Sequence, residues 1–465
     1  MATYSDFISS KKFKNIETGF DVGDSYLPDC LFDFQRAIVK WALKKGRAAI
    51  FADTGLGKTA MQLSWAEAVY QFTGNRVLIL APLCVAQQTV VEAAKFGIGN
   101  IRFCREFVKD GSTGIYVTNY EMLSHFEEAI SEGYFDGVVL DESSILKAQD
   151  GKTRAKIIRV CSNIPFRLSC TATPSPNDFM ELGSQSEFLG IMSSVEMLAT
   201  FFIHDSGETS KWRLKGHGKN RFWEWLATWA VAIRRPQDLG FKAEGYNLPG
   251  LNMMDVVVPT EKTIGDSLIK EPAKTLSQRI EARRITVAER VAKCAEIVNA
   301  SSEPFIVWCH RNDEADMLHD LIEGSVEVSG SDKMKDKERK IMAFTTGEAR
   351  VIITKPKIAG FGLNWQHCHN MAFVGLNDSF ESLYQAVRRC YRFGQKSEVN
   401  VFMISADLEG EVVDNLKRKE EQNEEMLREM VELMKDFTKK EVSASRNERL
   451  EYLAPNVLSI PEWLV

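Results

Sequence analysis

Lys58, Asp141 and Glu142 are the side chains best suited to handling a polyphosphate. Lys58 and Thr59 close the loop Thr54-Gly55-Leu56-Gly57. Such a loop turns backbone N–H groups and a helix N-terminus toward anionic oxygens, and Gly55 and Gly57 let the backbone come close without a Cβ. The lysine reaches the outer phosphates as a point charge, and the Thr59 hydroxyl suits Mg²⁺. The usual pattern carries a further glycine where Ala52 stands. Asp141-Glu142 ends the apolar run Val138-Val139-Leu140. There, Asp141 is placed to hold Mg²⁺ and Glu142 to orient and polarise an attacking water. Phosphoryl transfer needs little more than such positioning and charge stabilisation. About twenty residues ahead of the loop, the Gln35 amide offers the donor and acceptor that match an adenine edge. Thr171-Ala172-Thr173-Pro174 reads equally as a hydroxyl relay at a strand end or as a turn.

The stretch from Gln385 to Gln395 supplies what a second wall of the site needs. Arg389 and Arg392 are three apart and are expected on one helix face. Guanidinium groups there can cross a cleft and neutralise charge building on a γ-phosphate, an effect worth about 10³–10⁵ in rate. Arg388 fits a basic DNA-facing helix better. Between Lys211 and Arg221 the chain is basic and free of acids, and Lys211, Arg213 and Lys215 are candidate backbone-phosphate contacts beside interleaved aromatics. Phe222, Trp225 and Trp229 are expected to pack a small core.

Alternating strands and helices must position these groups. A helix is expected from Leu31 to about Leu43 and another after Thr59. Strands are expected at 77–80, 114–119 and 136–142, then in a second unit at 304–310, 325–328, 350–354 and 371–375. This spacing predicts doubly wound parallel sheets, whose ligands sit outside the strand carboxyl ends. The second unit has no phosphate loop, which suggests ATP between two halves. From about Gly410 a charged helix carrying Val412, Leu416, Met426, Met430 and Leu433 reads as a brace across the halves or a partner helix. The 465 residues carry a net charge of −6, so no global positive field points to nucleic acid and local patches must serve. Nine cysteines form no CxxC pair, which argues against a zinc ribbon, and the adjacent His367-Cys368-His369 has poor metal-ligand spacing. A reduced cytoplasm is the expected setting. No apolar run reaches the length of a membrane span.

Taken in order, Phe34-Gln35, the phosphate loop, Asp141-Glu142, Thr171–Pro174, Gly360-Phe361-Gly362-Leu363-Asn364 and Gln385–Gln395 make the chain resemble a superfamily 2 helicase. The Arg392-Phe393-Gly394-Gln395 ending is similar to Swi/Snf-type DNA translocases, and the compact form is similar to phage and prophage helicases. The resemblance covers roughly residues 31–400. It implies an α/β fold of two RecA-like domains at 31–195 and 256–409. A leader spans 1–30, a helical aromatic and basic insertion or linker spans 196–255, and a C-terminal brace and tail spans 410–465. It also implies ATP and Mg²⁺ as cofactors, with Gln35, Thr54, Gly55, Leu56, Gly57, Lys58, Thr59 and Gly362 around the nucleotide. Thr59 and Asp141 would hold the metal, and Gln385, Arg389 and Arg392 would complete catalysis. Nucleic-acid contacts are implied near Pro82, Thr118, His310, Arg311, Gly360 and Asn364. Ser143-Ser144, Arg388, Tyr391 and Pro356 depart from the family pattern.

The leading expectation is a monomeric DNA-dependent ATPase moving on double-stranded DNA in preference to branched or single-stranded DNA. A phage replication or recombination protein is a candidate partner. The rivals are a strand-separating helicase on forks, D-loops or RNA, and a non-motor ATP-gated clamp that recruits such a partner.

Overall fold

The computed structural model describes residues 17–147, 151–175, 178–204, 212–242, 248–265, 271–273, 275–359, 364–376 and 379–444. The first lobe carries β1 (Arg47–Ala52), β2 (Arg76–Ala81), β3 (Ile101–Phe103), β4 (Ile115–Asn119), β5 (Phe135–Asp141) and β6 (Phe166–Thr171). After β7 (Phe202–His204) and β8 (Trp212–Leu214), which pair antiparallel, β9 (Ala230–Ile233) returns to the main sheet. That sheet is parallel throughout, in the order β3-β4-β2-β5-β6-β1-β9. The second sheet is also parallel. It holds β10 (Leu251–Val258), β11 (Phe305–Cys309), β12 (Ser325–Val328), β13 (Val351–Thr354), β14 (Asn370–Val374) and β15 (Val399–Ala406), ordered β10-β15-β14-β11-β13-β12.

The near-continuous apolar strands follow from burial on both faces. In β1, Ala48, Ile50 and Ala52 enter one core while Ala49 and Phe51 enter the other. Along β2, Val77, Ile79 and Ala81 divide from Leu78 and Leu80 in the same way, as a period of two requires.

Residues 196–255, read in the sequence as an insertion or linker, contribute to both lobes. β9 pairs with β1, the strand that feeds the phosphate loop, and β10 pairs with β15 of the second sheet. Phe222, Trp225 and Trp229 are buried in the first lobe's core, with Trp225 and Trp229 rings 5.3 Å apart. Part of the segment expected to be a leader also docks. Phe20 stacks on Phe72 at 3.8 Å, and Thr18, Gly19 and Phe20 donate backbone bonds to the end of α1 (Asp33–Lys45).

The remaining helices used below are α2 (Lys58–Thr73), α3 (Leu83–Lys95), α4 (Phe380–Val387) and α5 (Gly410–Ala444). Helix α5 starts against the second lobe, where Val412 and Leu416 are buried, and ends against the first, where Met430, Met434 and Val442 are buried. No helix among the described residues is long and apolar enough to cross a membrane.

Candidate active site in the interlobe cleft

The strand β1 ends where the phosphate loop begins, and α2 starts at Lys58, so the loop lies at the sheet's carboxyl edge. Both loop glycines are left-handed, with φ +90° at Gly55 and +78° at Gly57. A Cβ on Gly55 would lie 2.8 Å from the Phe393 backbone nitrogen of the second lobe. Lys58 Nζ donates to the Ala52 carbonyl at 2.9 Å and faces that of Asp53 at 3.4 Å, both at the mouth of the loop.

Asp141 closes β5 and is 6% exposed. Gln62 of α2 donates to its carboxylate at 2.7 Å, and the Tyr120 hydroxyl donates to its carbonyl at 2.6 Å. Burial lifts its carboxyl above the usual range against the pull of the Gln62 amide and Lys58. Glu142 is the non-glycine residue with positive φ among those described, at +54°. That conformation is sparsely populated for side-chain-bearing residues, and it turns Glu142 into the cleft. The Thr171 hydroxyl at the end of β6 donates to the Glu142 carboxylate at 3.4 Å and accepts the Thr173 N–H at 3.1 Å. Behind them, Ser169 donates to Ser143 at 2.9 Å, and Gln185 donates to the Ser143 carbonyl at 2.9 Å. Ser143 is therefore spent on a buried network that ties Asp141-Glu142 to β6.

The opposite wall comes from the second lobe. Thr54, Gly55, Gly57, Lys58, Thr59, Asp141 and Glu142 share one cleft, with about 90 Å³ of free space, with Asn364, Arg389 and Arg392. The expectation of two arginines on one helix face needs correction. Helix α4 stops at Val387, and both arginines lie in the turns that follow. Those turns bring them to one cleft where a continued helix was expected. Gln385 stands behind Arg389, whose Nε donates to the Gln385 carbonyl at 3.0 Å and whose Nη2 donates to the Gln385 side chain at 3.2 Å. Gln385 thus orients the finger and does not line the cleft. Burial, with Arg392 close by, pushes the Arg389 guanidinium down to about 10, with Glu142 opposing.

The residues present fit a nucleotide and a hard divalent cation. Asn364 Oδ1 and Arg392 Nε are buried without partners, and their residues line this cleft. Buried polar atoms of this kind are costly unless a ligand or water meets them. Thr59 and Asp141 offer hydroxyl and carboxylate oxygens in the same space. Gln35 is 4% exposed and its amide is engaged within the lobe, donating to the Leu56 carbonyl at 2.9 Å and accepting the Phe32 N–H at 3.0 Å. It braces the loop, and a Cβ on Gly57 would sit 2.2 Å from its Nε2. Gln88 and Glu92 of α3 also line the cleft, where burial lowers the Arg392 guanidinium below its ordinary value with Glu92 opposing. Sequence reading missed Gln62, Gln88 and Glu92. Gln62 alone had a signal, a polar residue one turn after Lys58.

The candidate nucleic-acid residues divide. Pro82 caps α3 at the end of β2. Thr118 is fully buried in β4, between β2 and β3, so it does not reach a surface. Asn364, expected on nucleic acid, lines the nucleotide cleft instead. His310 follows β11 among cations. Burial first, then Arg283, Lys355, Arg290 and Lys357, hold its imidazole at about 4. Arg311 is paired with Asp313 at 2.7 Å. The Glu314 carboxylate accepts the N–H groups of His310 and Arg311, both at 3.0 Å, and it is anchored in turn by the buried Arg290 at 2.9 Å. Lys215 is tied to the carbonyls of Ala199 and Thr200 at the end of a helix, and Arg213 is exposed on β8. Gly360, Gly362 and Lys211 lie outside the described residues.

Comparison with known proteins agrees with this anatomy. Residues 31–176 match the Type III restriction enzyme, res subunit family, and residues 289–394 match the Helicase conserved C-terminal domain. A Drosophila melanogaster SWI/SNF-related matrix-associated actin-dependent regulator of chromatin subfamily A-like protein 1 is 21% identical over 92% of this chain and 60% of its own length. "Putative protein p41" of Acyrthosiphon pisum secondary endosymbiont phage 1 is 30% identical over 34% of this chain and 38% of its own. The chain therefore spans less than two thirds of either relative. The solved structure of S. cerevisiae Dbp5 bound to RNA and ADP BeF3 shares the fold, with a TM-score of 0.54, 12% identity, and coverage of 86% of this chain and 93% of that one. With both matched regions falling on the two parallel-sheet lobes and the arginines of the second facing the phosphate loop of the first, the chain carries the paired domains of a superfamily 2 helicase and is similar in sequence to Swi/Snf-type ATPases.

Proposed function

We propose that this chain hydrolyses ATP in the interlobe cleft and uses the cycle to move along nucleic acid, with double-stranded DNA the favoured track. The observation that carries the reading is the meeting of Lys58, Asp141 and Glu142 with Arg389 and Arg392 in one cleft built by both lobes. A hydrolytic site split in this way works only when the lobes are together, so each turnover ties chemistry to a change of lobe spacing.

Lys58 and the loop amides bind the phosphates, and Thr59 and Asp141 would hold Mg²⁺, which neutralises charge on the phosphate oxygens. Glu142, aimed by its backbone and by Thr171, orients water for attack. Arg389, held by Gln385, and Arg392 stabilise charge on the transferring group. The Thr171 hydroxyl and the Ser143–Ser169–Gln185 network offer a route from the γ-phosphate position into the lobe. The track would run across the carboxyl edges of both sheets, past Pro82 and the His310 region with its Lys355 and Lys357. The double-stranded preference is supported by the Swi/Snf relatives. A phage or bacterial DNA-metabolism setting is supported by the phage relative.

The test compares ATPase stimulation by single-stranded, double-stranded and branched DNA and by RNA at one salt concentration. Triplex displacement without fork unwinding is the expected motor signature. Lys58→Ala and Glu142→Gln should abolish hydrolysis, and normal turnover by either variant with DNA present overturns the proposal.

A further inference from the structure

Consecutive arginines leave the second lobe on opposite sides of the phosphate loop. Arg389 lines the nucleotide cleft, whereas Arg388 lines a separate cavity of about 660 Å³ together with Asp53 and Tyr384. Asp53 immediately precedes Thr54, at the corner where β1 becomes loop. Its carboxylate accepts the Thr54 N–H at 2.6 Å and the Tyr384 hydroxyl at 2.5 Å, and Arg388 Nη2 stands 3.4 Å away. The two charged side chains are only 15% and 17% exposed. Arg388 is itself fixed, its guanidinium 4.9 Å from the Tyr384 ring centroid and 5.2 Å from that of Tyr391. Burial raises the Asp53 carboxyl, but Arg388, the Tyr384 hydroxyl and the Thr54 amide outweigh it and leave it below the ordinary carboxylate range. The pair is therefore ionised. The departure from the family pattern at Arg388 has a matching acid on the other lobe.

The contact bears on the loop itself. The Asp53 side chain fixes the Thr54 N–H, and the Asp53 carbonyl is one of the two oxygens that face Lys58 Nζ. We propose that Arg388 and Tyr384 are positioning residues that grip Asp53 from the second lobe and set the corner of the phosphate loop, so that the loop takes its hydrolysis-competent shape only when the lobes are together. The grip acts behind the loop while Arg389 and Arg392 act in front of it. This inference rests on the hydrolysis reading for its kinetic arm alone.

The test uses the full chain with Arg388→Ala, Arg388→Lys, Arg388→Asp, Tyr384→Phe, Asp53→Asn, the Arg388→Ala/Asp53→Asn double variant and the charge-exchanged Asp53→Arg/Arg388→Asp. Arg388→Ala and Asp53→Asn should each lower kcat about tenfold while KM for ATP moves less than about threefold. Because they break one contact, the double variant should lose no more than either alone. The exchanged pair should regain at least about threefold over Arg388→Asp. Small-angle X-ray scattering of the nucleotide-free protein should give a larger radius of gyration for Arg388→Ala than for wild type. Wild-type kcat in Arg388→Ala, multiplicative losses in the double variant, or an unchanged radius of gyration each overturn the proposal. Should Arg388→Ala fail to fold, Arg388→Lys and Tyr384→Phe carry the same measurements. If wild type hydrolyses no ATP, the proposed function fails, and scattering alone decides whether the grip exists.

Discussion

Gly55→Ala separates lobe closure from nucleotide binding. The added Cβ meets the Phe393 backbone nitrogen at 2.8 Å, about 0.6 Å short of ordinary contact, and backbone cannot swing aside as a side chain would. The new methyl must push the loop away from the turn that carries Arg389 and Arg392. A misplacement of about 1 Å can cost on the order of 10²-fold in rate, so a shift of this size should lower kcat about tenfold. The left-handed backbone adds a cost of about 1–2 kcal/mol. Gly74→Ala measures that cost alone, because Gly74 has φ +69° and open space around it. Nucleotide affinity, measured by fluorescent-nucleotide titration, should fall only a few-fold, since Lys58 and Thr59 remain. Gly57→Ala is the contrasting variant. It strikes Gln35 within the first lobe and should weaken binding more than turnover. If Gly55→Ala loses affinity and single-turnover rate by equal factors, or keeps its wild-type rate, the second lobe is not what that glycine accommodates.

Other expectations follow from groups already placed. Arg290 pairs with Glu314 at 2.9 Å and Glu409 at 3.1 Å, and all three side chains are at most 1% exposed. Arg290→Ala leaves two buried carboxylates uncompensated and should cost about 3–5 kcal/mol in urea denaturation, whereas exchanging all three for well-packed apolar residues should cost far less. His310 sits near 4 in the folded chain against 6.5 for a free imidazole. The unfolded chain therefore takes up the proton first, and stability should fall as pH drops from about 6.5 toward 4, by at most about 3 kcal/mol. His310→Gln should flatten that slope in pH-dependent denaturation. If a phosphate backbone lies beside His310, wild-type affinity for DNA should also rise as pH drops through this window, which anisotropy titrations would read. Thr171→Val removes a hydroxyl bond to the Glu142 carboxylate and should lower kcat by about tenfold with KM little changed.

Much of this architecture was legible because its signals are local. The apolar strands, the glycine loop and the Asp141-Glu142 end each lie within one short segment, so residue order alone exposes them. Strand β9 was hidden because Ala230–Ile233 is only four residues long inside an aromatic segment, and its partner β1 is far away in sequence. The finger geometry was misjudged for a related reason. Three-residue spacing implies one face only while the helix lasts, and α4 ends before Arg389. Gln88 and Glu92 escaped because an amide or a carboxylate on a helix resembles any surface group until tertiary packing turns it inward. Thr118 was placed at a nucleic-acid contact by the resemblance alone, yet neighbouring strands cover it.

The long terminal helix has a thermodynamic consequence. Thirty-five residues at about 1.5 Å each make a rod of roughly 50 Å, rooted by Val412 and Leu416 at one end and by Met430, Met434 and Val442 at the other. Neither half can melt without stripping apolar contacts from that shared rod, so the two should unfold as one cooperative block. The rod also restricts how the halves separate: swinging about its length keeps both roots seated, whereas pulling straight apart must uproot one.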